Sequence, residues 1–516
     1  MNVRSSVDMP NVTDLSSIAA ENHPHDTAFA DADRRVTWSE FEAESLRAAT
    51  AFREVMTQGD RVAFICESSV DHITAMNGVI KAGGIPTNLH VRAAPETFRY
   101  CLDTVRPSVI VLDEQNSEFF EDRVRDELET EAPTVITLGD ARAEYERSYE
   151  TFVEGQPETE PDVRVRAEDV AAIWWTSGTT GRPKGWCQTH RGILLKALKT
   201  STATDRNSRS LMVLSPAFAA WWGSTMSTML AGGTMVYRQE WSPEDVVRLV
   251  ESESLTNVGL VTTMWREILR LDTLDDYDLS SLERILSTGE KLDRTTIRDL
   301  SRNVCDTIAN GYSSTEVLGT SITNVEMEGD RVESVGKPVL GQRVRIVEEG
   351  GTPEDTLPPG EIGEILIKGA DAPVWVWGDT ATTESEFDDG WWRSGDLGYK
   401  DDDGYLFLEG RSDFMITSKG MKVFPSPIEE RLDAHEGVEE SVVVGVDDEE
   451  YGERVTAIVS RSDPEVSAED LDSWCLSSDA LARFERPRKY HFIDDPVPRT
   501  ASGKLDRHGA IDLVGE

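Results

Sequence analysis

Lysine is scarce in this chain, at only 12 of 516 residues, so 40 of its 52 basic residues are arginine. Against them stand 96 acidic residues, for a net charge of −44. A field of that sign repels phosphate backbones and anionic headgroups, which argues against nucleic acid and membrane surfaces as partners. The acids are spread along the whole chain, and an acidic, lysine-poor surface suggests a halophilic protein that stays soluble in strong brine, where a Debye length of about 3 Å at ~1 M salt screens self-repulsion. The five cysteines, Cys66, Cys101, Cys187, Cys305 and Cys475, form no C-x-x-C pair, so neither a disulfide framework nor a zinc site is signalled. The eight histidines show no paired ligand spacing, and His72 and His190 read as structural. No apolar core segment opens the chain, so a cytoplasmic location is expected. The uncharged stretch from Leu211 to Tyr237 is long enough to span a bilayer, but Pro216, Gly223, Gly232 and Gly233 interrupt it, which suits a buried strand, helix and strand better.

What is present is a chain with 38% hydrophobic and 29% charged residues, enough for a sizeable core. β-Branched runs alternate with amphipathic stretches: 61–66 reads as a strand, a helical pattern follows to Lys81, and 107–113 reads as another strand. That alternation predicts an α/β fold with mainly parallel sheets sandwiched by helices. Residues 114–161, rich in acid and weak in pattern, read as a surface excursion. From 344 to 367 the texture changes to short antiparallel strands around a Pro-Pro-Gly turn, a β-barrel-like subdomain. A last segment carries a helix at 426–435, strands at 441–446 and 454–460, a helix at 468–483 and a strand at 489–494, a small α+β domain. The expected division is 1–410, a hinge at 411–413, and 414–516.

The most informative string is Thr176-Ser177-Gly178-Thr179-Thr180-Gly181-Arg182-Pro183-Lys184-Gly185, directly after an apolar run. Three glycines let backbone N–H groups approach an anion closely, four hydroxyls add donors, and Lys184 adds positive charge. This predicts a phosphate cradle. It is not the G-x-x-x-x-G-K-[ST] loop, because Pro183 stands at the second glycine and Gly185 replaces the magnesium-holding hydroxyl.

The string resembles the phosphate loop of the adenylate-forming superfamily, which includes acyl-CoA synthetases, luciferase and peptide-synthetase adenylation domains. Further motifs follow in that family's order. Gly311-Tyr312-Ser-Ser-Thr315-Glu316 resembles the motif whose aromatic stacks near adenine, whose threonine contacts the α-phosphate and whose glutamate holds Mg²⁺. Thr288-Gly289-Glu290-Lys291 resembles the segment lining the adenine pocket. Asp396 and Arg411 resemble the ribose-binding aspartate and the hinge arginine, with Asp413 at the hinge. Pro498 to Arg507 resembles the final motif, which makes Lys504 the lysine that reaches the reacting carboxylate. An acidic calcium loop at Asp401, Asp403 and Gly404 is excluded, because Tyr399 and Gly410 stand at ligand positions.

The resemblance covers the chain from about residue 30 onward and implies an acid–thiol ligase. ATP and a carboxylic acid would give an acyl-adenylate and pyrophosphate, with Mg²⁺ as cofactor; coenzyme A would then take the acyl group. In the family the small domain rotates between the steps, which makes Lys419 and Gly420 candidates for the thioester step and the small domain mobile. No carrier-protein module follows the Lys504 motif, which favours coenzyme A; a free-standing ligase loading a carrier protein stays open. A non-catalytic nucleotide sensor would tolerate loss of Glu316 or Lys504, and both are kept. Phe218, Trp222, Gly223 and Trp265, with Gly311 to Ser314, are expected at the acyl pocket, although plain core packing explains the aromatic residues equally well. Neither the acid nor the oligomeric state is legible.

Overall fold

The computed structural model describes residues 11–128, 133–176, 182–201, 204–317, 319–325, 329, 331–373, 375–448, 450–478, 481–499 and 505–514. The chain packs as two compact units, Met1–Arg343 with Ile367–Trp392, and Val344–Leu366 with Arg393–Glu516. This grouping differs from the division at 410–414 read from the sequence: the strand-rich stretch 393–410 packs with the C-terminal residues.

The first unit is built on two sheets whose centres are parallel. In one, Ile85–Asn88, Arg61–Ile65, Val109–Asp113, Thr134–Leu138 and Glu146–Ser148 lie side by side, all parallel. Every residue of Val109–Asp113 is buried, as expected of a strand covered on both faces. Residues 114–161 are therefore no mere surface excursion. Within this stretch Thr134–Leu138 is an apolar run buried from Val135 onward, and together with Glu146–Ser148 it widens the sheet by two strands. The acid-rich helix Glu114–Arg123, which precedes both strands, masked that signal.

The second sheet has nine strands. Its parallel centre runs Thr27–Ala30, Thr234–Tyr237, Arg209–Met212, Asn257–Leu260, Arg284–Thr288 and Ile308–Tyr312, with antiparallel strands at both edges. The uncharged stretch 211–237 resolves into a strand end, the helix Ala219–Ala231 and a strand. No described helix is long and apolar enough to cross a membrane.

Between the sheets the helix Val70–Lys81 is buried over almost its whole length and packs against Trp38–Val55, whose N-terminus is held by a Thr37/Glu40 capping box. Gly78 allows that approach: a Cβ there would lie 2.5 Å from the Cβ of Ala48. His72, on the same helix, shares a 3.0 Å hydrogen bond with Asn88, and burial pushes its pKa down to about 4. His190 is likewise held to about 4 by burial. Both are neutral structural histidines.

In the second unit, Met421–Val423, Ile416–Ser418, Gly452–Arg461 and Val438–Asp448 form an antiparallel sheet, with Lys489–Ile493 added in parallel. The helices Pro425–Asp433, Ala468–Leu476 and Arg507–Asp512 accompany it. The second of these ends at Leu476, short of the 483 expected, where Ser477 and Ser478 replace the apolar periodicity.

Gly78→Ala should destabilise the fold by about 1–3 kcal/mol, the usual range for overpacking a filled contact. Urea unfolding checks this; an unchanged midpoint would mean that the two helices separate freely.

Candidate active site

Ligands of open α/β sheets gather outside the carboxyl ends of parallel strands. Thr288 and Gly311 are paired neighbours at the carboxyl ends of Arg284–Thr288 and Ile308–Tyr312. The loops that leave these ends therefore start side by side. One begins with Gly289-Glu290 and the other carries Ser313 to Glu316, so two of the motifs separated in sequence meet by register alone. Gly289 has a φ of +87°, a turn only glycine makes without strain. The Glu290 carboxylate accepts 2.8 Å hydrogen bonds from the backbone N–H and the hydroxyl of Thr263, in the first turn of the helix Thr262–Leu269, so its side chain is structural. Tyr312 is buried, and Thr315 and Glu316 are half-buried.

The phosphate-loop candidates Ser177, Gly178, Thr179, Thr180 and Gly181 lie outside the described residues, but the hairpin that carries them is clear. Val170–Thr176 pairs antiparallel with Lys184–Thr189, and Thr176 stands opposite Lys184. The Thr176 hydroxyl accepts from the Trp186 indole at 3.2 Å. Lys184 forms a 2.5 Å ion pair with Glu386 of the helix Thr380–Glu386. The cation expected to meet phosphate is thus held by a carboxylate.

Next to this region is a polar cluster that the sequence did not reveal. Lys196 and Lys199, from the helix His190–Thr200, both pair with Asp371, at 3.6 and 2.6 Å, while the Gln342 amide donates to the same carboxylate at 2.7 Å. All four are buried. Burial pushes Lys196 down to about 8 against the pull of Asp371, and Glu316 lies close enough to pull the same way. Two cations on one carboxylate leave local positive charge, which suits a neighbouring anionic site.

A cavity of about 170 Å³ runs along the nine-stranded sheet, and Thr288, Gly311 and Tyr312 form part of its wall. Its other wall is the helix Ala219–Ala231, which is sorted by size. Ala220, Gly223, Ser224 and Ser227 face the cavity at helical spacing. Trp221, Trp222, Met226 and Met229 pack into the core. Gly223 thus lines the cavity, and Trp222, 1% exposed and 5.6 Å from the Trp174 ring, does not. Trp265 is also a core residue, its indole donating to the Leu286 carbonyl at 3.1 Å, and Phe218 lies against His90. The expected aromatic constriction is therefore absent from the described wall, because small residues occupy that helix face.

In the second unit, the neighbouring strands Trp391–Lys400 and Leu406–Arg411 place Asp396 opposite Arg411. Arg411 bridges two carboxylates, Asp396 at 3.2 Å and Asp413 at 3.0 Å. The Asp396 N–H donates to Ser394, fixing the turn behind it. Lys419 and Gly420, both with positive φ (+49° and +78°), make the two-residue turn between Ile416–Ser418 and Met421–Val423. The Lys419 ammonium is exposed and pairs with Glu450 at 2.6 Å, a hydrogen bond that raises its pKa. Lys504 lies outside the described residues; the Arg499↔Leu505 bridge and a bond from the Asp506 N–H to the Pro498 carbonyl close the ends of its loop.

The family model of the AMP-binding enzymes matches residues 17–372, and that of the AMP-binding enzyme C-terminal domain matches 427–504. The chain belongs to the AMP-binding enzyme family. It is 29% identical to the 3-hydroxybenzoate–CoA/4-hydroxybenzoate–CoA ligase of Thauera aromatica, over 95% of this chain and 94% of that one. It is 28% identical to the fatty acid–[acyl-carrier-protein] ligase ScoC of Streptomyces coeruleorubidus, over 96% and 95%. Among solved structures, ATP-bound MatB from Rhodopseudomonas palustris superposes with a TM-score of 0.87 at 26% identity, covering 98% of this chain and 99% of that one.

The residues present fit the magnesium that the family implies. Mg²⁺ is commonly held by one or two carboxylates together with substrate phosphate oxygens, and Glu316 with the hydroxyl of Thr315 offers that donor type. No group of three or more acidic, His or Cys ligands occurs among the described residues, so the phosphates would complete the shell.

Asp371→Asn should cost about 3–5 kcal/mol, because it leaves two buried ammonium groups without their counter-ion. Chemical denaturation measures it. A loss under about 1 kcal/mol would mean that the cluster is wetter than its geometry implies.

Proposed function

We propose that this AMP-binding enzyme is an AMP-forming acyl-CoA ligase that joins a carboxylic acid to ATP, releases pyrophosphate, and passes the acyl group to coenzyme A. The observation that carries this reading is the register that puts the Gly289 and Thr315-Glu316 loops side by side at the carboxyl ends of two paired strands that border a cavity. The named CoA ligases among its relatives support it.

Attack of a carboxylate on the α-phosphate brings two anions together, so the work of the protein is charge neutralisation and alignment. Lys184 leaves Glu386 for the phosphates, the Thr176–Gly181 backbone cradles them, and Thr315 donates to the α-phosphate. Mg²⁺ bound at Glu316 would supply further neutralisation of the phosphate oxygens. Tyr312 and the Gly289-Glu290 backbone border the adenine, while Asp396 accepts from the ribose hydroxyls and Arg411 steadies it. Lys504 holds the substrate carboxylate at the phosphorus. For the thiol to enter, the segment 414–516 turns about Asp413, whose bond to Arg411 is the contact to be broken, and Lys419-Gly420 replaces Lys504. Gly420 suits this exchange, since nothing lies within 4 Å of the position a Cβ would take. The ligase acts in the cytoplasm.

A carrier-protein acceptor is the second reading, favoured by the similarity to ScoC. The two separate directly: purified protein, ATP, Mg²⁺ and a panel of acids should release AMP and form a new thioester when coenzyme A is added. ADP release would overturn the reaction class, and a thioester on a carrier protein alone would favour the second reading.

Lys504→Ala should slow adenylation about 10²–10³-fold, the usual loss for one transition-state contact, while thioester formation from supplied acyl-adenylate stays near its original rate. Pre-steady-state measurement of each half-reaction checks this. An equal fall in both would refute the exchange of Lys504 for Lys419-Gly420.

A further inference from the structure

The cavity along the nine-stranded sheet has two chemically different ends. Near the carboxyl ends of the strands it is bordered by Thr288, Gly311 and Tyr312. Four residues back along the same strand, about 13 Å at ~3.3 Å per residue, stands Arg284. The register aligns Ser210 with Asn257 and Asn257 with Arg284, so three polar side chains cross three adjacent strands in one row. All three line the cavity. The next row toward the chemistry has Gly259 beside Leu286, and the missing side chain leaves the passage open.

Arg284 differs from the other cation on this wall. Lys199 is paired with Asp371. The Arg284 Nε is buried and has no hydrogen-bond partner among the described residues. Burial pushes its guanidinium below its ordinary value, with no carboxylate opposing the shift. Arg284 is half-buried, and its unpartnered buried Nε is a donor that is costly to leave unmet, while a planar fork of donors is the group best matched to a carboxylate or another oxygen acceptor.

We infer that the Ser210–Asn257–Arg284 row is the specificity-determining end of the acyl site, and that the acid activated carries a second oxygen acceptor, a carboxylate or a hydroxyl, at the end remote from its reacting carboxyl. This rests on the ligase reading above. The partner that the row lacks is the tail of the substrate. An acid ending in a methyl group or a bare ring edge would bury the guanidinium against hydrocarbon and is disfavoured. Asn257, with both donor and acceptor atoms, serves either oxygen form, whereas the bidentate geometry of Arg284 favours the carboxylate.

Two sets of matched acids test this: octanoate, 8-hydroxyoctanoate and octanedioate; and cinnamate, 4-hydroxycinnamate and 4-carboxycinnamate. Coenzyme A-dependent AMP release gives kcat/KM for each. On whichever frame is turned over, an oxygen-tipped acid should exceed its parent by about 30-fold or more, since a site built to pair a polar group discriminates strongly against the analogue lacking it. Octanedioate and 4-carboxycinnamate separate a carboxylate tail from a hydroxyl one. Arg284→Met should bring the ratio of oxygen-tipped acid to parent down to within about threefold, chiefly through KM. Arg284→Lys should restore part of the preference for the diacids. The ratio is measured on one preparation, so partial misfolding of a variant does not alter it. Parent acids turned over as well as their oxygen-tipped partners, or a ratio indifferent to Arg284→Met, would overturn the inference and leave the ligase reading intact. No AMP from any of the six acids would overturn both.

Discussion

The parallel register between Asn257–Leu260, Arg284–Thr288 and Ile308–Tyr312 is the constraint on which the candidate site depends. Side chains alternate across a strand, so a slip of one residue would exchange the face that carries Arg284, Leu286 and Thr288 for the face that carries Ile285 and Ser287. The register is fixed by burial on the opposite face, where Ile285, Val258 and Ile308 belong to one apolar cluster with Trp265, Ile297 and Leu300. The hydrophobic core behind the sheet therefore determines which groups can meet a ligand in front of it.

The second organising feature is how few cations an acidic chain spends and where they sit. Lys81 pairs with Glu42, Lys184 with Glu386, Lys196 and Lys199 with Asp371, and Lys419 with Glu450. In a chain carrying 96 acidic residues, an unpaired lysine near a phosphate site would attract any neighbouring carboxylate. Pairing each to a defined acid sets its position before substrate arrives. At Lys184 and Arg411 the same pairing means that nucleotide bound as proposed would displace or share a carboxylate, an exchange of partners.

How far the sequence could be read follows from the range of each signal. Strand Val109–Asp113 and helix Val70–Lys81 carry local periodicity and were legible. The glycine-hydroxyl string, Thr315-Glu316 and Asp396 were legible as short motifs. Strand Thr134–Leu138 was hidden by acidic neighbours, although three of its five residues are apolar and the other two are threonines. Asp371 could not be recognised as the partner of Lys196 and Lys199, since 172 residues separate it from Lys199 and nothing local marks it. Trp222 and Trp265 look like pocket walls in a one-dimensional reading because bulk attracts notice. Only the helix phase shows that Ala220, Gly223, Ser224 and Ser227 face the cavity and the tryptophans face away. Arg284 was invisible for a simpler reason: it is one of 40 arginines, and its significance comes from the unpartnered Nε it carries on the cavity wall.

These features combine into a division of labour along single strands. The carboxyl ends carry the loops proposed to handle phosphate and nucleotide, a chemistry common to every acid. The amino ends, about four residues away, carry the Ser210–Asn257–Arg284 row proposed to meet the tail of the acid. Exchanging Asn257 or Arg284 alters the tail that is accepted without moving Thr288 or Tyr312, because the backbone ladder between them is held by the core and not by the side chains being exchanged. A sheet with its chemistry at one end and its selection at the other can change substrate by substitution at two or three positions, which is how one fold can activate acids as different as a benzoate and a fatty acid while keeping the same phosphate machinery.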